Sequence, residues 1–288
     1  MDRISTTETF AGISYPGHLH TKESLQLAQD FQFQDMDILI ATFPKSGTTW
    51  MQEILTLIYN KGDSVVAETL PNWLRTPWLE HTYFRDLVQE NGGLRIITTH
   101  LPYDILAPAL KNSKAKVIYM VRNPKDVAVS YYHFHKFAKF LPEPGNFGKF
   151  LDRFLNGTVH YGSWFQHVKG WLRHQENASF FLITYEDMHR ELRCSIERLC
   201  GFLNHSLSSE ELDRVEEHCS FGNMSQNRMV NCTLISPEIL DHSKGKFMRK
   251  GKVGDWKQHF TVAQNNLFER IYQEEMSHCK HCFLMTLD

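Results

Sequence analysis

A run of nine residues, Thr42-Phe43-Pro44-Lys45-Ser46-Gly47-Thr48-Thr49-Trp50, gathers what is needed to hold a phosphate group. Such an anion is bound by backbone N–H donors, hydroxyls and a cation, best of all at a helix N-terminus. Lys45 supplies the cation and Gly47 lets the backbone approach closely. Thr48 and Thr49 fall in what the pattern predicts to be a first helical turn, where free N–H groups and the helix dipole favour anions. The order of residues differs from a Walker A loop, which runs Gly-x-x-x-x-Gly-Lys-Ser/Thr. Here Lys45 precedes Gly47 and the loop has no earlier glycine. No Walker B aspartate stands out either, so metal-dependent hydrolysis of a nucleoside triphosphate is disfavoured.

A second basic element lies far along the chain, from Phe247 to Lys257, with Arg249, Lys250, Lys252 and Lys257 around Gly251 and Gly254. Four cations in one short loop suit a second phosphate group; a solvated basic loop fits the same residues. Arg122 and Ser130, eight residues apart, could close on the same group. Trp50 and Phe221 are of the type that sandwiches a nucleobase, although each taken singly is more often core.

The elements that must position these groups are predicted from hydrophobic spacing. Ile38-Leu39-Ile40-Ala41 is a short apolar run leading into the loop, and Trp50, Ile54, Leu57 and Ile58 then share one helical face. Leu94–Thr99, Lys116–Val121 and Phe180–Tyr185 read as further strands, Asp126–Ser130 opens a helix after the Arg122-Asn123-Pro124 turn, Ser208-x-x-Glu211 is a capping box, and Thr261 to Met276 is a helix. Continuous apolar strands separated by helices predict an α/β fold, a single domain over 1–288 with a central, mainly parallel sheet flanked by helices and a P-loop-like strand-loop-helix. Ligands in such sheets sit beyond the carboxyl ends of the strands. Those ends carry Lys45, His100, Arg122 and Tyr185.

Bulk properties exclude other classes. The chain has 288 residues, 42% hydrophobic and 22% charged, with a formal net charge of −2, so no global field draws it to nucleic acid or an anionic membrane. The polar start Met1–Thr6 is no signal peptide, and no run of about 18 apolar residues predicts a membrane span. A cytoplasmic protein with reduced thiols is expected. On that reading the Asn-x-Ser/Thr sequons at Asn156, Asn177, Asn204, Asn223 and Asn231 are chance. The pair Cys279 and Cys282 lacks a second Cys pair for a structural zinc site, and the Leu141–Asn146 stretch reads as a surface loop.

The chain resembles the cytosolic sulfotransferase family nearly end to end. The resemblance is carried by six ordered motifs: Thr42 to Trp50; Thr99-His100-Leu101-Pro102; Arg122-Asn123-Pro124-Lys125-Asp126-Val127-Ala128-Val129-Ser130; Tyr161-Gly162-Ser163-Trp164; Tyr185-Glu186-Asp187-Met188; and Arg249-Lys250-Gly251-x-x-Gly254-Asp255-Trp256-Lys257. It implies transfer of a sulfuryl group from 3′-phosphoadenosine 5′-phosphosulfate (PAPS) to a small lipophilic hydroxyl-bearing acceptor, leaving the bisphosphate PAP and requiring no metal. By the same resemblance Lys45, Ser46, Gly47, Thr48, Thr49 and Trp50 hold the phosphosulfate side. Arg122, Ser130, Arg249, Lys250 and Gly251 hold the 3′-phosphate, with Met248 beside them. Tyr185, Phe221 and Met224 border the adenine. His100 is the implied base, Lys45 the implied stabiliser of the leaving oxygen, and Ser130 a partner that restrains Lys45. Trp73, Trp78, Tyr131 and Phe134 are acceptor-site candidates, with ordinary core as the alternative.

Pro71–Trp78 and Asn156–Val159 resemble the hydroxysteroid branch more than the phenol branch. Three positions depart from the family. Thr98 stands where many phenol-acting members carry Lys, and Cys219 stands at a nucleotide-contacting Thr or Ser. The dimer motif keeps Lys257, Thr261 and Val262 but ends in Asn266 rather than Glu, which puts the family's homodimer in doubt.

Overall fold

The computed structural model describes residues 3–88 and 93–277. Cys279 and Cys282 lie outside the described residues.

The chain opens with a hairpin that the sequence reading did not predict. β1 (Thr7–Phe10) pairs antiparallel with β2 (Ile13–Pro16), Thr7 opposite Pro16. Its turn residues Ala11 and Gly12 both have positive φ, 49° and 77°, the two-residue geometry that matches strand twist. Then come α1 (Lys22–Gln29), β3 (Ile38–Thr42), α2 (Thr48–Tyr59) and the short helices α3 (Val65–Thr69), α4 (Asn72–Arg75) and α5 (Phe84–Leu87). β4 (Ile96–Thr99), α6 (Tyr103–Leu110), β5 (Lys116–Val121), α7 (Pro124–Phe137), α8 (Phe147–Leu155), α9 (Trp164–Leu172) and β6 (Phe180–Thr184) follow. The rest is helical: α10 (Tyr185–Arg190), α11 (Leu192–Leu203), α12 (Ser209–His218), α13 (Phe221–Gln226) and, after a long irregular stretch, α14 (Val262–Met276).

β3 to β6 form one parallel sheet in the order β4-β3-β5-β6, the α/β architecture expected. Both faces are buried, and side-chain alternation sorts residues between them. On β3, Leu39 and Ala41 join one core cluster while Ile38 and Ile40 join the other. On β5, Val117, Tyr119 and Val121 face the first side, and Ile118 and Met120 the second. α2 covers the second side with Ile54, Leu57 and Ile58, none of them exposed to solvent. Each such side chain stabilises the fold by about 1.5–3 kcal/mol relative to exposure. α9 and α14 cover the first side through Trp164, Trp171, Phe268 and Tyr272.

Element ends moved by a residue or two. β3 extends to Thr42 and β4 begins at Ile96. β6 stops at Thr184 because the Thr184 hydroxyl accepts the Asp187 N–H and caps α10, so Tyr185 opens a helix instead of closing a strand. The Ser208/Glu211 capping box is formed in both directions. The Leu141–Asn146 stretch is irregular, but it is not simply surface: Leu141 is 1% exposed and belongs to the core. Among the described residues no helix is long and apolar enough to cross a membrane.

Candidate active site

Beyond the carboxyl ends of the strands lies a cavity of about 750 Å³. Lys45, His100, Arg122 and Tyr185, from the ends of β3, β4, β5 and β6, all line it.

The phosphate loop is built by backbone geometry. Lys45 and Gly47 sit at φ 70° and 107°, which curls successive N–H groups inward as an anion nest. Gly47 is obligatory there, since a Cβ would lie 2.5 Å from Met120 Cε and 2.9 Å from Tyr185 Cδ2. It caps α2 without any side-chain hydrogen bond, so the first amides of a twelve-residue helix remain available to an anion. Thr48 is tied to Thr42 by a 2.7 Å hydroxyl contact.

Three cations are aimed at the same region. Arg122 donates to the Lys45 carbonyl at 3.2 Å and to the Lys252 carbonyl at 3.1 Å, with its guanidinium 4.1 Å from the centre of the Tyr185 ring. It thus links the loop after β3 to the distant basic segment. Asp126 on α7 clasps that segment by accepting the Gly254 and Trp256 N–H groups at 2.7 and 2.9 Å. Arg249 and Lys250 both bond Asp255, at 2.5 and 2.6 Å. Burial alone would raise the Asp255 carboxyl, but these two hydrogen bonds outweigh it and hold the group at about 2. The two cations are thus already ordered by a carboxylate.

The adenine-side candidates also converge. Trp50 packs edge-on to Tyr185 at 5.3 Å and donates from its indole to the Cys219 carbonyl at 3.0 Å. Cys219 thus meets Trp50 through its backbone, while its buried thiol is pushed well up by desolvation. Phe221 lies against Gly251, whose φ is 61° and where a Cβ would stand 2.1 Å from Phe221 Cδ2. Gly251→Ala is expected to displace Phe221 and weaken nucleotide bisphosphate binding about tenfold, the effect of roughly 1.4 kcal/mol of strain. Calorimetric titration with PAP checks this, and wild-type affinity would refute the contact's importance.

At the centre, His100 is held from three sides. Its Nδ1 donates to the Thr42 carbonyl at 2.9 Å, which leaves Nε2 as the bare lone pair. Its backbone N–H donates to Glu80 at 2.8 Å, and its carbonyl is 3.2 Å from His167 Nε2. Burial lowers the imidazole to about 4, opposed by the Thr42 bond and aided by nearby Lys45, so the ring is neutral at physiological pH. The Lys45 ammonium sits between the Phe134 and Phe247 rings, 4.2 and 4.1 Å from their centres. Desolvation by these walls lowers it to about 7, and Arg122 and Arg249 add to the shift.

Most of the expected site residues meet here. Thr48, Thr49, Trp50, Ser130, Cys219, Phe221, Met224, Met248, Arg249, Lys250 and Gly251 line the cavity, as do Trp73, Trp78, Tyr131 and Phe134. Ser46 does not: it is fully buried, with a hydroxyl that lacks a hydrogen-bond partner. Among the described residues no hydrogen bond joins Ser130 to Lys45. Tyr131 is 1% exposed, donates to the His160 carbonyl and packs in the core against Phe43 and Phe150. Thr98 points away from the cavity, bonded to Gln52 and the Thr76 carbonyl.

Several lining residues escaped the sequence reading. His18, His81, Tyr83, Tyr161 and Cys232 also line the cavity. Only Tyr161 lay inside a motif. His81 carried a faint signal, three residues beyond Trp78, on which it stacks at 5.5 Å and 8°.

Residues 35–280 match the sulfotransferase domain family. Sulfotransferase 2B1 of Homo sapiens is 47% identical over 268 residues, covering 93% of this chain and 73% of the relative. Among solved structures, mouse sulfotransferase SULT7A1 complexed with PAP superposes with a TM-score of 0.80 at 31% identity, covering 95% of each chain. Retinol dehydratase in complex with androsterone and the inactive cofactor PAP gives a TM-score of 0.79 at 25% identity, over 88% of this chain and 85% of that one. The chain belongs to the sulfotransferase family, the class of PAPS-dependent group-transfer enzymes. Within that family it sides with the hydroxysteroid branch, as Pro71–Trp78 and Asn156–Val159 had suggested.

Proposed function

We propose that this enzyme moves the sulfuryl group of PAPS to the hydroxyl of a small lipophilic alcohol, with steroids the leading acceptor class. The reading rests chiefly on one observation. Lys45 and His100 lie at the ends of adjacent parallel strands and face one cavity, with cations on one side and aromatic rings on the other.

The cationic arm fits a donor with phosphates at two positions. The amides at the start of α2 and Lys45 receive the phosphosulfate side, while Arg122, Arg249 and Lys250 receive the 3′-phosphate by charge-assisted hydrogen bonds. Trp50, Tyr185, Phe221 and Met224 offer the base its walls. The other arm, lined by Trp78, Phe134, Phe140, Leu141 and Leu240, supplies the apolar surface a lipophilic acceptor needs. The retinol dehydratase neighbour, solved with androsterone and PAP, supports a steroid-sized occupant.

The chemistry follows from the two central groups. His100 Nε2 takes the acceptor's hydroxyl proton as the oxygen–sulfur bond forms. The bridging sulfur–oxygen bond breaks in line, and its electron pair stays on the phosphate oxygen of departing PAP. Lys45 stabilises the charge growing on that oxygen from a site already desolvated. Bound donor, an anion, holds Lys45 in the charged form this role needs. As written, the transfer uses no metal. We read the whole chain as one such domain.

Incubation with ³⁵S-labelled PAPS and a panel of hydroxysteroids, aliphatic alcohols, phenols and amines tests the proposal. Hydroxysteroids are expected to give the highest kcat/KM, and phenols less, because the acceptor arm offers extended apolar walls. Preference for simple phenols would overturn the acceptor class. Binding of PAP without sulfonation of any acceptor would reduce the chain to a nucleotide-binding protein.

A further inference from the structure

The cavity wall beside His100 carries three titratable groups that the transfer does not use. His20 follows β2, and Glu80 and His81 lie on the stretch that bridges Trp78 to Thr98 of β4. All three are buried, at 1%, 0% and 7% exposure. One ligand atom from each lies within 4.8 Å of the other two.

Their hydrogen bonds leave the right atoms open. His20 Nδ1 donates to the Pro16 carbonyl at 2.9 Å, which fixes the tautomer with the lone pair on Nε2, and that lone pair accepts one long hydrogen bond from the Tyr161 hydroxyl at 3.4 Å. His81 Nδ1 is 2.7 Å from the Tyr83 hydroxyl, and its buried Nε2 has no hydrogen-bond partner. The two rings meet edge to face at 4.9 Å. Glu80 accepts from the His100 N–H at 2.8 Å and the Thr99 hydroxyl at 2.9 Å, and among the described residues no Lys or Arg pairs with it.

An unpartnered imidazole nitrogen, a second held by one long hydrogen bond, and a buried carboxyl with no cation beside it are costly to bury together. A divalent metal ion resolves all three costs at once. Two His and one Glu also form the ligand set with which zinc keeps a fourth position open. A ring nitrogen bound to a backbone carbonyl is the usual outer support of a metal-ligating His, and His20 has it. Zinc–nitrogen bonds of about 2.0–2.1 Å set tetrahedral ligands roughly 3.3 Å apart. The three ligand atoms, within 4.8 Å of one another, would draw together to that spacing.

We propose that His20, Glu80 and His81 bind one divalent transition-metal ion, zinc by its ligand set, in the acceptor-side wall of the cavity. His81 lines the cavity, so the fourth position opens toward the acceptor, where water or an acceptor oxygen completes the tetrahedron. The ion would then sit next to His100 through Glu80 without entering the sulfuryl transfer itself.

Untagged protein stripped with a chelator and titrated with Co²⁺ tests this. Tetrahedral d–d absorption saturating at one equivalent, and bleached by Zn²⁺, is expected. His20→Ala and His81→Ala should each abolish the bands while still binding PAP, and Cys279→Ser/Cys282→Ser should keep them. Failure to bind the ion, or bands that survive both His variants, would overturn the site. Bands lost only in the Cys double variant would overturn it too. Should the His variants not fold, X-ray absorption of the zinc-loaded wild-type protein decides: a nitrogen/oxygen shell with two imidazoles supports the site, and sulfur ligands refute it. PAPS turnover by the stripped protein keeps this outcome separate from the transferase reading.

Discussion

His100→Ala is expected to lower kcat by about 10²–10⁴-fold, the usual contribution of a positioned general base, while PAP binds with nearly wild-type affinity. The asymmetry follows from where the ring is held. Its Nδ1 is committed to the Thr42 carbonyl, so only Nε2 reaches the acceptor. No part of the ring contributes to the cationic arm proposed to hold the phosphates. Steady-state kinetics beside calorimetric PAP titration separate the two effects, and a variant turning over at the wild-type rate would remove His100 from the chemistry. A pH signature accompanies this. The imidazole is lowered to about 4 chiefly by burial, so the acidic limb of kcat/KM, which reports the free enzyme, should lie well below 6.5. A limb at 6.5 would show that the ring is solvated.

Loss of stability in mild acid should be equally large. His100, His135 and His167 are buried as neutral rings, lowered by desolvation to about 4, 3 and 3. The sign follows from linkage. The unfolded chain takes up protons near 6.5 and the folded chain does not, so stability is intact above that pH and falls as pH descends toward the folded values. By pH 5 each ring costs roughly 2 kcal/mol, and the three together roughly 6 kcal/mol. That is near the lower end of a typical folding free energy. Scanning calorimetry from pH 8 to pH 5 should give a level Tm at the upper end and a steep decline below about pH 6. A Tm unchanged to pH 5 would contradict neutral burial of these rings.

Much of the proposed donor side was legible because it is written locally. Phosphate binding draws on backbone geometry, glycine and helix amides within one strand-loop-helix, so Lys45 to Trp50 declared itself in consecutive residues. The same holds for Arg122 and for Arg249 to Gly251, whose motifs are compact. β3 and β5 were legible because strands buried on both faces need unbroken apolar runs. β1 and β2 were not, being four-residue strands of mixed residues. Tyr131 shows the limit of composition: an aromatic of the right type proved to be largely core, its hydroxyl spent on the His160 carbonyl.

The sequence by itself determined the class of chemistry: a cation ahead of a glycine at a strand end, a histidine at the next strand end, and a distant basic loop. Only the tertiary structure decided what these groups can do. Parallel pairing of β3 with β4 brings Thr42 and His100 together and thereby selects the tautomer of the proposed base. Packing of Phe134 and Phe247 around Lys45 lowers its ammonium toward neutrality. The hairpin that escaped prediction leads directly to His20, which reaches Glu80 and His81 across a sequence separation of about sixty residues. Spacing along a chain records local geometry, whereas burial and the meeting of distant side chains depend on how the layers close.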